Sequence, residues 1–218
     1  EAVALARQHD LKVGMHLCLT CDWDRMKWGP ITRAPSLCDS YGHFFPSFAA
    51  LGQTALDEEM FEELDAQVSR VKELGLNPTH VDSHMLGSTH NTPFTLRIKA
   101  QIAKVMAKHD LIYTYDWNPE RRLFHFRDEY EITGNSEREI WARLESWTTD
   151  GTYHLFGHAA EPAPELEALC SREHPSSFWT AAYRVRDLAF FTSPRTLERL
   201  ESLAFELIDV PQLIKLRA

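Results

Sequence analysis

Short apolar strand candidates alternate with amphipathic helices along most of this chain, and that alternation narrows the fold more than any other feature. Lys12–Thr20 reads as a strand from its apolar content and length. The clearest helix covers Ala55–Leu74, where Leu56, Met60, Leu64, Val68, Val71 and Leu74 recur at spacings of three and four. Thr54 is a candidate cap at its start, and Gly75 a stop. A strand over His80–Met85 follows, then a helix from Pro93 to about Lys108 and a strand over Leu111–Trp117. Ser136-Glu-Arg-Glu139 has the pattern of a capping box and opens a helix to about Trp147. Thr152–His158 reads as a strand, Trp179–Phe191 as a helix, Ser193-Pro194 as the start of another helix, and Phe205–Leu213 as a closing strand. Such alternation specifies an α/β fold built on a mainly parallel sheet.

The 218 residues suit a single domain with a sizeable core. No apolar run approaches the roughly 20 residues of a membrane helix, and no signal peptide is visible, so a cytoplasmic protein without a membrane partner is expected. A formal net charge of −9 argues against nucleic acid as the main partner. Cys18 and Cys21 have the spacing of a zinc knuckle or redox pair. Residues three apart on a strand face opposite ways and no second close pair follows, so free thiols are the expectation. Between Cys21 and Phe48 lies a long stretch rich in Pro, Trp, Tyr and Phe. Its aromatic content argues against disorder, and the stretch is either a cap over the core or a surface whose Trp and Tyr rings suit the apolar faces of sugars.

The chemistry gathers at Pro78-Thr-His-Val-Asp-Ser-His84. On a strand, His80, Asp82 and His84 share one face, with Val81 and Ser83 on the other. Two imidazoles and a carboxylate are suitable ligands for a divalent metal. Asp82 is either a ligand or a group that orients a histidine from behind, and the second role is preferred. Three strand candidates end in histidine: His16, His84 and His158. Parallel strands in one sheet would bring those ends to a common rim, where α/β folds bind ligands. The third histidine then serves as acid or base. His90, in the loop beyond His84, is either a substrate contact or an exposed side chain.

Several of these stretches resemble one known family. Val13-Gly-Met-His16-Leu-Cys-Leu-Thr20 is similar to the GxHxxLT motif of the YdjC-like carbohydrate deacetylases, also called the ChbG/HpnK family, and Pro78–His84 to their PTHxDSH motif. Trp28-Gly-Pro30, Pro35-Ser-Leu-Cys-Asp39 and Tyr41-Gly-His-Phe44 look like the loop between those motifs. Gly157-His158-Ala159 sits where the family usually has an HP motif. The resemblance implies a distorted (β/α) barrel with mainly parallel strands and a metal-dependent enzyme that removes acetyl from an N-acetylated sugar. It implies a divalent metal, Mg2+ foremost with Zn2+ as the second choice, held by His16, His84 and an aspartate. His158 is expected as general acid, Asp82 as a catalytic support, and Trp28 and His90 as substrate contacts. A small carbohydrate is the expected partner, together with a second copy of the chain in a homodimer.

Two departures accompany the resemblance. The family's metal aspartate belongs to an N-terminal DDFG motif, and no Asp-Asp pair occurs in this sequence. The expectation is a chain that begins after its first strand; the alternative is a metal- or sugar-binding domain without catalysis. The stretch after DSH reads Met85-Leu-Gly-Ser-Thr-His90, similar to a branch with DSHMG, which leaves the sugar open. A phosphoesterase is disfavoured, because no glycine-rich phosphate loop accompanies the histidines.

Overall fold

The structure is a computed structural model, and residues 2–86, 91–113, 126–170 and 180–215 are described. They form two compact units. The first holds residues 1–22, 27–124 and 208–218; the second holds residues 23–26 and 125–207.

The first unit opens with helix α1 (Ala2–Gln8) and strand β1 (Met15–Leu17). A 3-10 turn (Pro35–Leu37) and the short α2 (Phe48–Leu51) lead to the long α3 (Asp57–Glu73). Strand β2 (His80–Ser83), helix α4 (Pro93–His109) and strand β3 (Ile112–Tyr113) complete the alternation. The three strands make a parallel sheet in the order β1-β2-β3, the arrangement that helical crossovers produce. Leu17, Val81 and Tyr113 point from it into a core with Met60, Leu64, Val68, Ile98, Ile102 and Val105 from α3 and α4. The apolar stripe of α3 explains its place there. Thr54 does not cap this helix: its hydroxyl donates to Ser36 O at 2.8 Å, and three acidic residues in the first turn favour the N-terminus instead. Gly75, with φ of +82°, turns the chain out of the helix as expected.

Residues 27–47 have almost no regular structure, yet α3 holds them in place. The Glu63 carboxylate, fully buried, accepts from Ile31 N at 3.1 Å, Thr32 N at 2.9 Å, Thr32 Oγ1 at 2.6 Å and Gln67 Nε2 at 2.9 Å. One turn earlier, Glu59 accepts from Ser36 N at 2.8 Å. Gln67 continues the line to β1, exchanging hydrogen bonds with the Cys18 backbone at 2.7 and 3.0 Å. Leu37 and Phe44 bury their side chains in the core.

The second unit pairs β4 (Phe126–Glu131) with β5 (Thr152–Phe156), again in parallel. Between them runs α5 (Glu137–Glu145), opened by the expected Ser136–Glu139 capping box. The short α6 (Pro164–Glu167), then α7 (Ala181–Thr192) and α8 (Pro194–Ser202), follow. Ile132, Ile140, Trp141, Leu144 and Phe190 form a separate core.

The fold is mixed α/β with parallel strands, as the sequence predicts. Two particulars differ. Among the described residues no closed barrel forms, and β5 belongs to a different sheet from β1 and β2. Among the described residues, His16 and His84 belong to the carboxyl ends of one sheet and His158 to that of the other. Phe205–Leu213 is also not a strand. Its second half enters helix α9 (Val210–Lys215), because Asp209 and Gln212 cap each other's backbone N–H at 2.7 and 2.8 Å.

Candidate functional site

The register of β1 on β2 sets His16 directly across from Asp82. Their side chains rise on the same face, and His16 Nδ1 lies 2.7 Å from Asp82 Oδ1. His84 follows two residues beyond Asp82. Its backbone N–H extends the pairing to Leu17 O at 2.8 Å, so the residue is held although the strand has ended. Its Nδ1 lies 3.4 Å from His16 Nε2, with the two rings edge-on at 81°. On its far side, His84 Nε2 lies 2.5 Å from Asp22 Oδ2. The result is an unbroken line, Asp82–His16–His84–Asp22, at the carboxyl ends of two parallel strands. His84 and Asp22 are largely shielded, whereas His16 is open to solvent.

This line has a definite proton arrangement. A carboxylate only accepts, so the outer nitrogen of each imidazole carries the N–H. In the neutral rings the two inner nitrogens then both carry lone pairs, facing each other across 3.4 Å. Such a pair repels unless a cation or a shared proton lies between them. The separation is close to the roughly 3.3 Å between two nitrogens that each sit about 2.05 Å from a tetrahedral ion. Carboxylate partners on the outer nitrogens are the usual supports of metal-bound histidines. His16 and His84 thus fit a metal as a two-nitrogen chelate. Among the described residues, no group of three His, Cys, Asp or Glu side chains makes a complete site.

Sequence reasoning finds His16, Asp82 and His84 and misses Asp22. That residue sits five positions after β1, in a stretch without periodicity. The usable signal was positional: loops after the carboxyl ends of parallel strands carry ligands.

His80 shares the face of Asp82 but packs over Gly14. A Cβ at residue 14 would lie 2.2 Å from His80 Nε2, which explains the glycine two positions before His16. Gly14→Ala is expected to cost about 1–3 kcal/mol through overpacking. His80→Ala should recover much of that loss in a double-mutant cycle followed by thermal unfolding.

Trp28 packs partly buried against the first unit's core, and its side chain hydrogen-bonds Cys18. Burial pushes the Cys18 thiol up to about 11, so it stays protonated at neutral pH, and no disulfide joins the four cysteines. His90 lies outside the described residues.

In the second unit, His158 follows β5 and meets a buried polar group. Its Nδ1 lies 2.9 Å from Thr133 Oγ1 and 3.2 Å from Glu131 Oε1. Its backbone N–H donates to Asp187 Oδ2 at 2.8 Å, and Thr133 Oγ1 also donates to that carboxylate. Arg184, one turn before Asp187, stacks over the Trp23 ring. Burial lowers its pKa, while Asp187 and Glu131 hold its charge.

A parallel α/β unit with paired histidines at adjacent strand ends, each backed by a carboxylate, defines the kind of protein this is. Residues 1–202 match the family model described as YdjC-like protein, and the chain belongs to that family. It is 40% identical over 173 residues to a carbohydrate deacetylase of Thermus thermophilus, a match covering 72% of this chain and 64% of that protein. It is 36% identical over 164 residues to a carbohydrate deacetylase of Brevibacillus brevis, covering 72% and 53%. The chain therefore spans less than two thirds of the length of these relatives. A solved structure from Enterococcus faecalis, of a protein assigned to cellobiose-phosphate cleavage, superposes with a TM-score of 0.74 at 22% identity. It covers 97% of this chain and 82% of that one, and supports the fold.

Proposed function

We propose that this chain carries out divalent-metal-dependent removal of acetyl from an N-acetylated carbohydrate. The observation that carries the proposal is the pair of inner ring nitrogens 3.4 Å apart, each on a histidine backed by a carboxylate. The names of the relatives supply the substrate class. His16 and His84 hold the metal, Mg2+ or Zn2+. Bound there, the ion would polarise an amide carbonyl and make water more acidic, the chemistry that amide hydrolysis needs. Asp82 and Asp22 keep both rings in the tautomer that turns lone pairs inward. His158 has the role of proton donor to the leaving amine.

The direct test is calorimetric titration with Zn2+ and Mg2+, paired with an acetate-release assay on N-acetylglucosamine and its short oligomers. Saturable metal binding and chelator-sensitive acetate release are expected. Metal-loaded protein that releases no acetate across acetylated amino sugars would overturn the substrate class. Asp22→Asn keeps the shape of the site but offers the ring a neutral partner. It is expected to weaken metal binding by roughly 10–100-fold in the same titration, with the circular dichroism spectrum unchanged.

A further inference from the structure

We propose that Asp187 and Thr133 are positioning residues for His158. They hold its imidazole in the tautomer protonated on Nδ1, and so make Nε2 the atom through which the ring exchanges its proton. The assignment builds on the role given to His158 above, and its geometry stands apart from that role.

The direction of each hydrogen bond follows from what each group can do. Asp187 is 4% exposed, and its carboxylate only accepts. Thr133, 3% exposed, has one hydroxyl proton and gives it to Asp187. The oxygen that Thr133 turns to His158 Nδ1, 2.9 Å away, can then only accept. Glu131 Oε1, at 3.2 Å from the same nitrogen, is an acceptor as well. Thr133 and Glu131, the described partners of Nδ1, thus require a proton on it.

Asp187 also fixes the backbone that carries the ring, through the His158 N–H at 2.8 Å. That approach depends on Gly157. A Cβ there would lie 3.0 Å from Asp187 Oδ2 and 2.7 Å from Ile132 Cγ1. Among the described residues, Glu131 at the end of β4 faces Nδ1, Asp187 on α7 holds the main chain, and Arg184 on α7 interacts with both carboxylates. One helix therefore supplies both the anchor of the main chain and the orientation of the side chain. An aspartate that only fastened α7 to β5 would stabilise the unit without selecting a ring nitrogen.

The test reads the 15N resonances of the His158 ring, assigned by their loss in His158→Gln. Wild type is expected to carry the proton of its neutral ring on Nδ1. Asp187→Ala frees the Thr133 hydroxyl to rotate. Should that variant fail to fold, Thr133→Val combined with Glu131→Ala removes both acceptors at near-constant core shape. Either change is expected to move a measurable fraction of the proton to Nε2. The same change should lower kcat for acetate release by about 10-fold or more, with KM within about twofold. A wild-type ring protonated on Nε2 overturns the proposal. So does an unchanged ring spectrum in the double variant. If the wild type releases no acetate, the proposed function falls, and the ring spectrum still decides this assignment.

Discussion

His84→Ala is expected to remove metal binding from the first unit and acetate release with it. The side chain is the centre of the line: one nitrogen faces His16 at 3.4 Å and the other faces Asp22 at 2.5 Å. Loss of an outer partner of a metal ligand typically costs 10–100-fold, and loss of one of two chelating nitrogens should exceed roughly 100-fold. Folding should change little, because the ring sits past the end of β2, outside the apolar cluster. Titration with Zn2+, acetate release and thermal unfolding, measured together, separate the two effects. Retained high-affinity binding in His84→Ala would mean that these histidines are not a chelate. In that case the 3.4 Å contact is a shared proton between rings.

Glu63→Ala should have the largest effect on stability. The carboxylate receives four hydrogen bonds at 2.6–3.1 Å inside the protein. Alanine takes the acceptor from the part-buried Ile31 and Thr32 N–H bonds and from the Thr32 hydroxyl, and a lost bond to a charged group costs about 1.5–3 kcal/mol. A total of roughly 3 kcal/mol is expected, which lowers Tm by about 6–12 °C for a protein of this size. Glu63→Gln should cost less, because one oxygen remains while the amide nitrogen must face a donor. Chemical denaturation of the two variants gives the order. Equal stability of Glu63→Ala and wild type would show that residues 27–47 hold their place without the Glu63 carboxylate.

The parts of the fold legible in the sequence are those that periodicity controls. The stripe from Leu56 to Leu74 gives α3, and alternation at 80–84 sets His80 and Asp82 apart from Val81. From there, His16 and Asp82 meet because β1 and β2 are parallel neighbours. Asp22 and Asp187 were hidden for opposite reasons. Asp22 lies in an aperiodic loop, where no pattern tells an anchored carboxylate from a solvated one. Asp187 lies in a helix, where an acidic residue ordinarily reads as an exposed position. Strand β4, Phe-Arg-Asp-Glu-Tyr-Glu, escapes notice because charged residues dominate it and a bulge interrupts its pairing with β5. Without β4, nothing in the sequence separates β5 from the first sheet, so its pairing with a charged strand was not foreseen. The role of Glu63 is likewise invisible, since its partners lie about thirty residues away in a stretch without regular structure.

The pairing of β1 with β2 bears on how the protein reaches its folded state. His16 and Asp82 are 66 residues apart in sequence, and His16 and His84 are 68 apart. Neither contact exists until the intervening chain, with α3 inside it, has closed on itself. The entropy of that closure must be met before the pairing rewards it, and contacts between distant residues slow the search. The histidine pair closes a long loop of chain, and an ion bound between the two rings would act as a latch that holds that loop shut.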